Sequence, residues 1–263
     1  MTRMLFYKAW LETRTRFLTA VAVTLAVCLF WTLAHTWIEN NWQRDLIEHP
    51  DYQNPAWFLR AMRDYPFFLW HFVYGEMFQK IWVILAVLLG VGGLSREAAH
   101  GSAGFTLSLP VSRLRLYRTR ALLAVGELFA LSAIALITIV IGSRIMALPY
   151  PIGHALTHLG TMFAGGLVFL AASLCLAEWV EGEHTPVLIA LGGVGLLYFM
   201  MQPYIDGAPL DWFAIPFAVP KLMAGPADIS RVSDVAWTGM LASLGAAAAF
   251  TAAGIRRTQR GDY

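Results

Sequence analysis

Apolar residues in this chain gather in long blocks rather than alternating with polar ones. The blocks are Phe17–Ile38, Phe78–Leu94, Ala121–Gly142, Ala155–Ala177, Pro186–Met201 and Val235–Ile255. A helix needs roughly 20 apolar residues to cross the hydrocarbon of a bilayer, so each block is read as a span, the second and fifth being short. Helices suit this setting because they satisfy their own backbone groups in lipid. A closed β-barrel would show short alternating strands instead, and the sequence has no such pattern. The fold class that follows is an all-α membrane protein with six transmembrane helices in a single domain over residues 1–263.

Composition points the same way. Hydrophobic residues make up 58% of the chain and charged residues 14%, a balance far from that of an ordinary soluble domain. The two cysteines, Cys28 and Cys175, fall inside predicted spans and have no metal or redox spacing, so they read as small hydrophobes.

The first 16 residues do not read as a cleavable signal peptide. Arg3, Lys8, Glu12, Arg14 and Arg16 interleave with Leu5, Phe6, Trp10 and Leu11. At helical spacing this gives a basic face and an apolar face, which predicts an N-terminal amphipathic interfacial helix over 1–16, lying on the cytoplasmic membrane surface. A plain basic flank would orient the first span equally well, and the two readings are compatible. With both termini cytoplasmic, twelve of the lysines and arginines lie inside and seven outside. The outside set falls mostly in longer loops, where the positive-inside rule is weak. The expected location is therefore the plasma or inner membrane, multi-pass, with both termini in the cytoplasm.

Two outer segments are long. Glu39–Met77 carries Trp42, Trp57, Phe58, Phe67, Phe68, Trp70, Phe72 and Tyr74 among charges, which predicts helices resting at the outer interface. Gln202–Asp234 holds five prolines, so no long helix is expected there. Its apolar middle, Trp212–Val219, is too short to span and reads as re-entrant or interfacial. Small residues in the last block (Gly239, Ala242, Ser243, Ala246, Ala249 and Ala253), together with Gly90, Gly92, Gly93, Gly192, Gly193 and Gly195, predict close helix packing.

Catalytic chemistry is sparse. No Gly-x4-Gly-Lys-Ser/Thr phosphate loop is present, and six spans leave no room for an ATPase domain of roughly 100 residues or more. No His-Glu-x-x-His or Gly-x-Ser-x-Gly motif occurs either. No catalytic, cofactor-binding or metal-ligating residue is assigned, and the chain is not read as an enzyme. His154 and His158 lie one helical turn apart but read better as interfacial side chains than as metal ligands. Glu178, Glu181, Glu183 and His184 read as a solvated acidic turn, with Thr185 as N-cap and Pro186 opening the next helix. Glu127 stands apart as an intramembrane charge in the third span. Arg113, Arg120 and Glu127 recur every seven residues and so share one helix face. An ionisable group at such depth is expected to face protein, here with a basic partner near the inner interface, in a gating or a purely structural role.

The richest segment runs from Gly93 to Arg113. After an apolar block it carries Arg96-Glu97, a small-residue turn at Gly101-Ser102-Ala103-Gly104, and Leu107-Ser108-Leu109-Pro110-Val111-Ser112-Arg113. This order, between the second and third spans, resembles the cytoplasmic signature loop of the ABC-2 type transporter permease family, the membrane subunits of ATP-driven exporters. Gly101-Ser102 stands where that family has Gly-Thr. The basic tail from Ile255 to Tyr263 also looks like that family's C-terminus. The resemblance implies that residues 95–112 form a short cytoplasmic coupling helix touching a separate ATPase subunit, through Arg96, Glu97, Gly101, Phe105, Leu107, Leu109, Pro110 and Arg113. It further implies a second permease subunit, identical or a sister, with ATP and Mg bound on the ATPase partner and no cofactor in this chain. Membrane lipid is the remaining partner, and no nucleic acid is expected. From the residues alone, Phe105, Leu107 and Leu109 give the loop an apolar face that fits a groove on a soluble partner, while Pro110 stops that helix and Ser112 caps the next. A membrane scaffold that docks partners without moving substrate is the alternative function.

Overall fold

The computed structural model describes residues 2–48, 56–91, 111–180, 185–193, 223, 225 and 237–260. Among these residues all regular structure is helical. The elements are α1 (Thr2–Glu48), α2 (Ala56–Arg63), α3 (Tyr65–Phe68), a π-helical segment (Leu69–Met77) and α4 (Phe78–Gly90). They are followed by α5 (Arg113–Ile145), α6 (Ile152–Trp179), α7 (185–193) and α8 (Trp237–Arg260).

Five stretches are long and apolar enough to cross a membrane: Arg3–Arg44, Tyr65–Gly90, Arg113–Ile145, Ile152–Trp179 and Trp237–Arg260. The sixth expected span, 186–201, is helical from 185 to 193 and otherwise lies outside the described residues. The N-terminal stretch and the first span form one continuous helix of 47 residues. If straight, it would be about 70 Å long at 1.5 Å per residue, about twice the hydrocarbon thickness. No break falls at the expected boundary near residue 16.

The second span differs most from expectation. It begins at Tyr65, not Phe78. Asp64 starts it, in extended conformation, by accepting a hydrogen bond from the Phe67 amide, and proline occupies the first turn. Hydropathy alone under-reads this stretch because tyrosine and histidine score as polar. In the fold Tyr65, Phe67, Phe68, Leu69, Val73 and Tyr74 are all buried, so they form core instead of resting at the outer interface. Phe68 meets Trp31 and His35 of α1 and Phe72 of its own segment at ring separations of 4.7 to 6.1 Å. Neutral hydrogen bonds hold the polar tips. Tyr65 Oη and Ser143 Oγ lie 2.8 Å apart, and Tyr150 Oη donates to Tyr74 Oη at 3.4 Å. Burial raises the Tyr150 phenol above its ordinary pKa, with the Tyr74 bond opposing the shift.

Helix α6 is the hub, packing against α4, α5 and α8, while α1 lies along α5. Close approach rests on small residues, because lipid supplies no hydrophobic force between helices. A Cβ at Gly90 would overlap Ser173 Oγ, and one at Gly142 would lie 2.8 Å from Thr32 Cγ2. A Cβ at Gly166 would crowd Trp82, whose indole N–H donates to Met162 O at 3.0 Å. The buried stripe of α8 is Gly239, Ser243, Ala247, Gly254 and Thr258. Ala242 and Ala249, expected on that stripe, are exposed, as their angular positions fall off the α6-facing side. Gly192 and Gly193 also meet nothing close by among the described residues.

Two residues of the proline-rich segment also pack on the bundle. Met223 is fully buried and fills the notch at Gly165. Thr161 Oγ1 donates to Met223 O and Trp70 Nε1 to Gly225 O, each at 3.0 Å. Gly225 has φ +69° beside His158, where only glycine is at ease.

Candidate functional site at the basic helix ends

The site is built around the first turns of α1. Helix α5 starts where it does because Ser112 is extended and its side chain accepts a hydrogen bond from the Arg115 amide at 3.4 Å. From that cap the seven-residue repeat carries Arg113, Arg120 and Glu127 up one face of α5. Helix α1 lies against this helix.

Glu127 is 4% exposed. Its partner is the Thr13 hydroxyl, which donates to Oε1, while Oε2 is buried with no hydrogen-bond partner among the described residues. The expected basic partner is not what faces it. Arg120 instead pairs with Glu12 Oε2 at 3.0 Å, and Glu12 also meets Lys8 at 3.7 Å. The reason is solvation. Glu12 keeps about a third of its side chain exposed, so pairing there leaves both charges partly hydrated, whereas an ion pair at Glu127 would need a second charge stripped of water.

One turn further along α1, Arg16 reaches another element. Its guanidinium donates to the carbonyls of Leu88, at 3.3 Å, and Val91. These lie at the C-terminus of α4, where Val91 turns extended and the last carbonyls lack intrahelical donors. A cation there also complements the helix dipole. Leu5 packs with Val111 and Leu116 at the opposite flank. A single helix, α1, therefore grips residue 91 at one end of the 92–110 segment and residues 111–127 at the other.

Of the expected coupling residues, Arg113 is described, at the head of α5. Arg96, Glu97, Gly101, Phe105, Leu107, Leu109 and Pro110 lie outside the described residues.

Other candidates move. His158 is 1% exposed and stacked on Tyr74 at 4.3 Å, so it is a core side chain and not an interfacial one. Glu178 is 5% exposed and accepts a hydrogen bond from Thr258 Oγ1 at 3.2 Å, so it is not part of a solvated turn. The long C-terminal helix α8 covers it. Cys28 and Cys175 are free thiols. No group of three or more His, Cys, Asp or Glu suited to a metal occurs among the described residues. Sequence reasoning missed the grip of Arg16 on α4, because an arginine reaching carbonyls leaves no pairing signal in the chain.

No family model, curated protein or solved structure matches this chain.

Proposed function

We propose that this chain is the membrane-spanning permease half of an ATP-binding cassette exporter of the ABC-2 type. Two copies, or this chain and a sister, would enclose the substrate path, above separate ATPase subunits that bind ATP and Mg. Residues 95–112 would dock on the ATPase at the cytoplasmic face, with both termini on that side.

The observation that carries this reading is the double attachment of α1. Arg16 holds the carbonyls that end α4, just before the expected coupling segment. Thr13 and Glu12 hold Glu127 and Arg120 on the helix that follows it. A push on the segment would thus reach α1, α4 and α5 together. A scaffold needs a docking surface but has no need to tie that surface to three membrane helices. The double attachment, together with the Leu107-to-Arg113 motif, favours transport over scaffolding.

Affinity capture of a tagged chain from its native membrane tests the proposal. An ABC ATPase subunit should copurify in stoichiometric amount. Capture without any ATPase would put the scaffold reading in the lead.

A further inference from the structure

Helices α5 and α8 both pack on α6 but touch each other little. The wedge between them is a cavity of about 310 Å³, within the size range of small-molecule sites. Its floor is Leu167, Leu170, Ala171 and Leu174 of α6, and its walls run from Tyr117 to Val125 on α5 and from Ala247 to Ile255 on α8. Each wall covers nine residues, so the groove extends about 12 Å along the helix axes.

Its two ends differ in character. Val125, Leu167 and Ala247 close the deep end with hydrocarbon alone. Arg118 and Tyr117 stand at the other end, next to the basic ends of α5 and α8. Arg118 is exposed and makes no ion pair among the described residues. The Tyr117 hydroxyl is buried and has no hydrogen-bond partner there, although a buried hydroxyl usually finds one. Gly254 lies against the Tyr117 ring, which fixes the phenol at the groove mouth. Leu122 forms an exposed rim, leaving the side open to the bilayer.

We propose that this groove is a binding site for an anionic phospholipid, with one acyl chain lying against α6 and the headgroup phosphate on Arg118. The polarity of the groove is that of a lipid chain hanging from its headgroup, and the unpaired cation at the mouth selects negative charge. The groove lies on the face of α5 opposite the one that carries Arg113, Arg120 and Glu127 toward α1, so the proposal does not depend on the coupling role.

The test uses the purified full chain in detergent, with dioleoyl phosphatidylglycerol and dioleoyl phosphatidylcholine added in turn and retained lipid counted by native mass spectrometry. Retention of phosphatidylglycerol should exceed that of phosphatidylcholine at least tenfold. Arg118→Gln should bring it down to the phosphatidylcholine level without altering phosphatidylcholine itself. Thr251→Phe, which fills the groove from a half-exposed position, should lower retention of both. Equal retention of the two lipids by the unaltered chain would overturn the proposal. So would undiminished phosphatidylglycerol retention by Arg118→Gln, a surface change that leaves packing intact and decides the matter even if Thr251→Phe fails to fold. Loss of a dimer in Thr251→Phe with lipid retention unchanged would instead give the groove to a second copy of the chain.

Discussion

The two ends of the bundle are held together by different physics. Around Tyr65–Tyr74 the contacts are buried aromatic rings and neutral hydrogen bonds, with Phe68, Leu69 and Val73 fully removed from solvent. Around Glu12–Arg16 the contacts are an ion pair, a threonine hydroxyl on a carboxyl and a guanidinium on helix-end carbonyls, several of them part-exposed. Packing of the first kind is close to all-or-none, since interiors are dense and respond badly to lost volume. Contacts of the second kind are each small and can be exchanged. A rigid aromatic end and an adjustable basic end suit a protein driven from the basic side.

The sharpest way to break this comparison is to damage each end and compare the outcomes. Phe68→Ala should cost about 3–5 kcal/mol of stability, as large-to-small core changes do, and is measured by the unfolding midpoint of the purified chain. A loss below about 1 kcal/mol would mean that the aromatic end is as adjustable as the other. Next in size is Glu127. Removing its carboxyl leaves the Thr13 hydroxyl with its longer bond to the Ala9 carbonyl, at 3.3 Å, and a hydrogen bond to a carboxyl contributes about 1–3 kcal/mol. Glu127→Ala should therefore lower folded yield or stability by about that amount, and Glu127→Gln, which keeps an acceptor, by clearly less. Equal effects of the two would show that the charge, and not the Thr13 bond, is what matters. The smallest expected change is Arg120→Gln. Its pair with Glu12 is part-exposed, and pairs that keep some water contribute about 0–1 kcal/mol. A stability loss above about 2 kcal/mol would place Arg120 among the core contacts and erase the contrast between the ends.

Much of the membrane architecture can be read from the chain, because long apolar blocks have few alternatives to helices in lipid. Spans near 17–38, 121–142 and 155–177 each fall inside a membrane-length helix of the fold, and the last expected span shares residues 237–255 with another. The start of the second span was hidden, since Tyr65, His71 and Tyr74 depress hydropathy while the two phenol tips are met by partners far along the chain, Ser143 and Tyr150. Glu127 was legible as a buried charge from its depth and its seven-residue phase with Arg120. Its partner was not, because Thr13 is 114 residues away and a hydroxyl leaves no charge pattern. For Glu178 the acidic neighbours suggested water, whereas the covering residue, Thr258, lies on a helix 80 positions downstream.

The central claim is that the basic end transmits ATP-driven motion through residues 95–112. Substrate-stimulated ATP hydrolysis by the assembled complex, compared between the unaltered chain and Phe105→Ala or Leu109→Ala, tests it most directly. Truncating a desolvated anchor often costs at least about 2 kcal/mol of binding, which is more than tenfold in affinity. The account predicts at least a tenfold loss of ATPase association or of stimulated hydrolysis, with the permease still inserted at normal levels. Normal association and normal stimulation in both variants would contradict it.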